Sequence, residues 1–232
     1  PEVNPRRRRG RSRGGPAPHV PKPEGFDPTP GIFEKTKEGR REVPFFHGGT
    51  IVPAADFADS FGMTQLTVRH TTDEADLEAV RELCRAYRLL LAERIPDRPE
   101  ILANYYAEAD YEALLAALAE KHARPDGAIF VAELDGEIVG CGMTHRVGPE
   151  TCEIKRVFTA EAARGHGAAR AIFATAMEQA KADGYRIMVL DTMIRLHEAI
   201  ALYEKLGFTP WEPFYALPEG FEDLVRFYGK AL

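Results

Sequence analysis

A glycine-rich hexapeptide constrains the fold more than any other segment of the chain. It reads Arg164-Gly165-His166-Gly167-Ala168-Ala169, between a strand-like run that ends near Phe158 and a helical stretch over about 167–182. Small residues at a helix N-terminus leave backbone N–H groups facing outward, and the helix dipole adds roughly half a positive charge. This junction predicts a pyrophosphate site, although a glycine-rich turn with only a loop role has the same local pattern.

Two other phosphate-binding motifs do not fit this segment. The dinucleotide fingerprint GxGxxG would need its third glycine at Arg170, and the P-loop would need Gly-Lys followed by Ser or Thr at its end. The hexapeptide therefore indicates neither a Rossmann nor a P-loop protein.

Hydrophobic spacing around the hexapeptide alternates between strand and helix periods. The predicted elements are a strand from Leu66, helices over about 74–91 and 101–122, strands over 128–134, 138–145 and 152–158, a helix over 167–182, a strand over 185–191, a helix over 197–206, and strands over 208–211 and 224–228. Asp135-Gly136 predicts a hairpin, because both residues tolerate positive φ. This order predicts an α/β fold, with a mixed central sheet and helices on both faces.

Four segments in succession closely resemble the GNAT acetyltransferase superfamily. They are Glu153-Ile-Lys-Arg-Val-Phe-Thr, the Arg164 loop, Gly184-Tyr-Arg-Ile-Met-Val-Leu-Asp191 and Ala199-Ile-Ala-Leu-Tyr-Glu-Lys-Leu-Gly-Phe208. The family's acetyl-CoA motif, Gln/Arg-x-x-Gly-x-Gly/Ala, is matched by Arg164, Gly167 and Ala169. The resemblance covers about 170 residues and is strongest over 152–211. It implies the GNAT fold and an acetyl-CoA cosubstrate.

The resemblance also assigns residues to the cosubstrate. In the family, the strand before the loop splays from its neighbour and pantetheine pairs with the exposed backbone, which implies this role for Val157 and Phe158. The pyrophosphate would accept hydrogen bonds from the backbone N–H groups of Gly165, His166, Gly167, Ala168 and Ala169. Arg164 would add positive charge, or would be a solvated loop arginine.

Two residues are candidates for catalysis by the same resemblance. Tyr203 matches the tyrosine that can protonate the departing thiolate, although its helical spacing also suits a packing residue. Glu153 is the candidate general base, with a solvated glutamate or a salt bridge to Lys155 as the alternative. Leu196 replaces an asparagine that many members have, which removes a polar contact sometimes made near the pantetheine. His197 and Arg195 beside it would contact CoA or substrate, or lie exposed at the helix start.

The predicted reaction is direct N-acetylation of a primary amine on a small molecule or protein, without a metal. Amine attack on a thioester needs little covalent help from the enzyme. A covalent route through Cys141 or Cys152 would need a nearby base, and His145 lies about 13 Å along the strand from Cys141. Zinc binding by these three residues is disfavoured as well.

Residues 1–62 form a separate region before the predicted domain at 63–232. They contain 10 of the 17 prolines and 9 of the 20 glycines, which predicts a low-complexity, extended tail. The tail carries a net charge of +3 and the body −9, so an acidic or nucleic-acid partner would bind the tail rather than the body.

The sequence also bears on location and on rival functions. It has no apolar run long enough to span a membrane, and its three scattered cysteines favour the cytoplasm. Two alternatives stay open, namely a CoA-binding module with weak or no catalysis and a domain tethered to an assembly by its tail. The acceptor and a homodimer stay open too.

Overall fold

The computed structural model describes residues 64–232, which fold around a seven-stranded sheet. The strands are β1 (Leu66–Thr71), β2 (Ala128–Leu134), β3 (Glu137–Gly148), β4 (Thr151–Thr159), β5 (Ile187–Met193), β6 (Thr209–Pro210) and β7 (Val225–Ala231). Their order across the sheet is β1-β2-β3-β4-β5-β7-β6. Strands β4 and β5 are parallel, and the other neighbouring pairs are antiparallel. This mixed sheet confirms the predicted fold class.

Helices cover both faces of the sheet. They are α1 (Glu74–Arg94), α2 (Pro99–Tyr105), α3 (Glu108–Ala116), α4 (Leu118–Lys121), α5 (Ala168–Ala182) and α6 (His197–Lys205). Cys141 of β3 lies against Cys84 of α1, whereas a side chain at Gly142 would meet Ile172 of α5 at 2.6 Å. Because consecutive strand residues point to opposite faces, α1 and α5 pack on opposite sides of the sheet.

Local sequence signals explain where several elements begin. The Asp73 carboxylate accepts hydrogen bonds from the N–H groups of Ala75 and Asp76 and so caps α1. Asp135 and Gly136 have φ values of 52° and 90°, which confirms the predicted β2–β3 hairpin.

The prediction of one helix over about 101–122 is wrong. The chain forms α2, α3 and α4 there, separated at Tyr106–Ala107 and at Ala117. Ala107 is extended, with φ −50° and ψ 136°, and this change of direction allows Tyr106, Tyr111 and Leu115 all to be buried. Apolar spacing does not reveal such a break, because helical periodicity continues on both sides of it.

Two further predictions concern the N-terminal tail and the absence of a membrane-spanning segment. The predicted tail at residues 1–62 lies outside the described residues, so its extended conformation stays a prediction. Within residues 64–232, no helix is both long enough and apolar enough to cross a membrane.

Candidate active site

Strands β4 and β5 separate along their length. They pair only at Thr151 with Ile187, Cys152 with Met188, and Glu153 with Val189. Beyond Glu153, β4 remains paired with β3 and β5 remains paired with β7. We call the resulting wedge between β4 and β5 the split; it corresponds to the splay that the family resemblance implies.

A β-bulge bends β4 at the start of the split. Lys155 pairs with Met143 and Phe158 with Cys141, so residues 156 and 157 together oppose one residue of β3. Arg156 has a φ of 49° and is fully buried, and its guanidinium lies 3.6 Å from the Met143 sulfur. The irregular backbone therefore occurs where β4 leaves β5.

Val157 and Phe158 point to opposite faces of the sheet just beyond this bulge. A side chain at Gly142, on the α5 face, would lie 3.2 Å from Val157, whereas the Phe158 ring lies 5.7 Å from the Tyr87 ring of α1. Both side chains are buried. Because these two side chains pack against opposite faces of the sheet, the backbone of Val157 and Phe158 forms the edge of β4 that borders the split.

The glycine-rich loop leads directly into α5. Gly165 and Gly167 have φ values of 79° and 76°, and a Cβ atom at either position would meet nothing within 4 Å. The glycines are thus required by backbone conformation rather than by lack of space. Ala168 and Ala169 begin the helix with their side chains buried, which leaves the helix N-terminus facing the cleft.

A cleft of about 660 Å³ lies between this loop and α6. Its lining combines cationic side chains with small or apolar residues and one acid: Gly165, His166, Gly167, Arg170, His197, Glu198, Ala201, Leu202 and Lys205. Together with the dipole of α5, Arg170 and Lys205 make this cleft suitable for a polyanion.

The sequence suggested contacts to CoA or substrate for His197, Arg164 and Arg195, and the three side chains have different surroundings in the structure. His197 lines the cleft. Arg164 forms an ion pair with Glu161 instead. Arg195 binds the Asp97 carboxylate and the Arg94 carbonyl oxygen, and so connects the start of α6 to the end of α1.

Tyr203 is fully buried between α5 and β7. Its ring centroid lies 5.8 Å from that of Phe173 and 6.0 Å from that of Tyr228. Burial raises the pKa of its phenol well above 10, and the nearby Thr192 hydroxyl offsets only part of this rise. Neither the Tyr203 hydroxyl nor the Thr192 hydroxyl has a hydrogen-bond partner at good geometry among the described residues. The Tyr203 phenol is therefore protonated at neutral pH.

Glu153 is buried at the last paired position of β4, with two basic neighbours. Lys155 Nζ lies 2.7 Å from its Oε1 atom, and His145 Nε2 lies 3.2 Å from its Oε2 atom. Burial raises the pKa of Glu153 to about 8; Lys155 opposes this rise and Asp191 adds to it. The predicted salt bridge to Lys155 is present, and Glu153 is buried rather than solvated.

A model of the Acetyltransferase (GNAT) family matches residues 87–208. The chain is also 40% identical over 117 residues to "Uncharacterized N-acetyltransferase YjgM" of Escherichia coli, a match that covers 47% of this chain and 70% of that protein. The chain belongs to the GNAT acetyltransferase family. Membership makes this chain an acyltransferase and confirms the resemblance seen in the sequence.

Further relatives and solved structures agree with the GNAT assignment. "IAA acetyltransferase" of Azospirillum brasilense is 33% identical over 132 residues, which cover 55% of this chain and 80% of that protein. The Streptococcus agalactiae acetyltransferase structure has a TM-score of 0.55 and 19% identity, and covers 72% of this chain and 98% of that one. Salmonella typhimurium yncA, solved with acetyl-CoA, has a TM-score of 0.52 and 21% identity over 72% and 93% of the two chains. These two structures support the fold alone.

This GNAT domain has polar residues at the split that the sequence interpretation did not assign. Lys155, Asp191 and Tyr87 are buried there, and the Tyr87 hydroxyl has no hydrogen-bond partner among the described residues. Burial raises its pKa well above 10, with Tyr106, Tyr203 and Asp191 as its electrostatic neighbours. Tyr87 shares a helical apolar face with core residues, so spacing alone gave no functional signal. For Lys155 and Asp191, the detectable signal was a charged residue within an otherwise apolar strand.

Proposed function

We propose that this GNAT enzyme transfers an acetyl group from acetyl-CoA to a primary amine by direct attack at the split. The observation that carries the proposal is the adjacency of the split, the α5 N-terminal loop and the basic cleft. The acetyl-CoA held by the Salmonella neighbour supports the same cosubstrate here. A cytoplasmic location stays a prediction, which the three free cysteines support.

The residues of the cleft suit acetyl-CoA by shape and charge. Backbone N–H groups of the loop and first helical turn would bind the pyrophosphate, and these belong to Gly165, His166, Gly167, Ala168 and Ala169. The backbone of Val157 and Phe158 would bind the pantetheine arm. Arg170 and Lys205 line the cleft and would supply positive charge to the phosphates. Arg164 would contribute less, because Glu161 already pairs with it.

Acetyl-CoA supplies a thioester, and the protein's part is to move two protons. Glu153 would take a proton from the acceptor ammonium or through water, which requires its unprotonated form. Tyr203 would donate a proton to the departing sulfur and would regain one from the nitrogen of the tetrahedral adduct, directly or through water; its raised pKa keeps the phenol protonated at neutral pH. The acid and the base are thus proposed on α6 and on β4, on either side of the split.

Direct attack is favoured over a covalent acyl-cysteine route. Cys141 and Cys152 are both buried. Hydrogen bonding to Cys84 and burial raise the pKa of Cys141, and burial raises the pKa of Cys152 to about 12. A thiol must ionise to act as a nucleophile, so neither residue suits this role.

A panel assay tests the proposed function. Thiol release from acetyl-CoA would be measured over amino acids, polyamines, aminoglycosides and peptides, with mass spectrometry of the products and Tyr203→Phe as a comparison. We expect amine-dependent thiol release and an acetylated amine. Tight CoA binding without an acetylated product from any amine would favour a CoA-binding module instead.

A further inference from the structure

The cleft between the glycine-rich loop and α6 contains cations without counterions. Arg170 and Lys205 line it, and neither side chain forms an ion pair or a hydrogen bond within residues 64–232. Most arginines in this part of the chain are instead paired with carboxylates. Glu198, the acid in the lining, lies 3.5 Å from Arg94 of α1, so its charge is already balanced. The cleft therefore carries an excess of positive charge.

Two imidazoles face the same cleft. His166 belongs to the loop before α5 and His197 is the first residue of α6, and both side chains are exposed. Neither imidazole forms an ion pair or a hydrogen bond with another side chain of the described domain. Histidine is the side chain whose charge changes between pH 5 and 8. Because both side chains are exposed, each imidazole can exchange protons with water.

The charge of acetyl-CoA exceeds that of the fixed cations in the cleft. Its pyrophosphate and its 3′-phosphate together carry about four negative charges near pH 7.5. Arg170 and Lys205 supply two positive charges, and the N-terminus of α5 adds roughly half of one. Two imidazolium ions would supply most of the charge that is still missing.

We propose that acetyl-CoA binding is coupled to proton uptake at His166 and His197. This inference rests on the proposed use of acetyl-CoA in this cleft. Neighbouring cations favour an uncharged imidazole, whereas a bound phosphate favours the imidazolium, which can donate an N–H to a phosphate oxygen. Each proton is taken from water or buffer and forms an N–H bond at the imidazole. By linkage, acetyl-CoA should bind more tightly as the pH falls.

The other charged groups around the two imidazoles leave this coupling to the ligand. On the loop, Arg164 is paired with Glu161. On α6, Glu198 would favour a protonated imidazole even without ligand, but Arg94 offsets its charge. Bound phosphate is thus the large change in charge that either imidazole meets. The coupling acts on acetyl-CoA binding, so rates at saturating acetyl-CoA do not contain it.

Calorimetric titration with acetyl-CoA, in the absence of an amine, tests the coupling. Two buffers of different ionisation enthalpy at pH 7.5 give the number of protons taken up. We expect about one proton per acetyl-CoA in the wild type and far fewer in the double variant His166→Gln/His197→Gln. Titration of the ligand's own 3′-phosphate contributes equally to both proteins. The exposed His70→Gln on β1 is the matched control and should keep the wild-type uptake. Equal uptake by the wild type and the double variant would overturn the proposal.

Dissociation constants at pH 6.5 and pH 8.5 test the same coupling independently. The wild-type Kd should fall at least about tenfold from pH 8.5 to pH 6.5, and that of the double variant by less than about threefold. A wild-type Kd that is the same at both pH values would overturn the proposal. A wild type that binds acetyl-CoA with proton uptake but acetylates no amine would lose the proposed function and keep this coupling. Absence of acetyl-CoA binding would overturn both.

Discussion

The Lys155 ammonium on β4 lies 3.6 Å from the Asp191 carboxylate on β5, just beyond the last pair of residues that joins these strands. Lys155 and Asp191 are 1% and 3% exposed, and Lys155 also binds Glu153. A cation between two buried carboxylates therefore connects β4 to β5 at the base of the split. This arrangement fixes the position of the proposed general base.

Removal of this cation should destabilise the fold in a pH-dependent way. Lys155→Met removes the buried cation that Glu153 and Asp191 share, so we expect a loss of about 3–5 kcal/mol in unfolding free energy near pH 8.5. The loss should be smaller at pH 5. Burial already raises the pKa of Glu153 in the folded state, and protonation of this carboxylate relieves the buried charge as the pH falls.

Urea denaturation at both pH values measures this difference. Lys155→Met combined with Glu153→Gln is the control and should recover part of the stability at pH 8.5. An equal loss at pH 5 and pH 8.5 would show that packing of the lysine side chain, rather than its charge, stabilises the split.

Tyr203→Phe should separate catalysis from packing. The ring contacts with Phe173 and Tyr228 are kept, and the lost hydroxyl has no hydrogen-bond partner among the described residues, so the melting temperature should not fall. Loss of a general acid should lower kcat by about 10²- to 10⁴-fold with little change in acetyl-CoA affinity. Steady-state kinetics and thermal melting measure both effects. Full activity would make Tyr203 a packing residue.

Substitutions at Gly167 can separate charge from backbone strain in the loop. Asn and Asp tolerate positive φ better than other residues and differ from each other mainly in charge. We expect Gly167→Asp to bind acetyl-CoA at least tenfold more weakly than Gly167→Asn, with both variants folded. Calorimetric titration and circular dichroism are the measurements. Equal affinities in the two variants would exclude a pyrophosphate at this helix N-terminus.

Deletion of residues 1–62 tests the predicted domain boundary. The sheet begins at Leu66 and ends at Ala231, so we expect residues 63–232 to fold and to bind acetyl-CoA. Thermal melting with and without CoA provides the measurement. An insoluble product, or a far lower melting temperature, would mean that the domain depends on the tail, whose apolar residues include Phe33, Phe45 and Phe46.

Local signals predicted the parts of the structure that depend on neighbouring residues in the chain. Asp135-Gly136 predicted a hairpin because positive φ is a property of those two residues, and Gly165 and Gly167 predicted the loop for the same reason. The division at Ala107 was not predictable, because it depends on how Tyr106 and Tyr111 pack in the core. Resemblance to a family, rather than spacing, indicated the split.

The polar network at the split depends on strand register, which the sequence does not specify. His145 was compared with Cys141 along one strand, but its cross-strand neighbour is Glu153 on the next strand. Asp191 meets Lys155 only because β4 and β5 are parallel neighbours. Such pairs become visible once the order and the offset of the strands are known.

The pH dependence of acetyl transfer in the wild type and in Glu153→Gln tests the central claim most directly. Burial raises the pKa of Glu153 to about 8, and the unprotonated form is the base, so wild-type kcat/KM should rise with pH through that region. Glu153→Gln should lower the rate by about 10²- to 10⁴-fold and lose this part of the profile, leaving only titration of the amine itself. A wild type that acetylates no amine, or a variant with the wild-type rate and profile, would contradict the account.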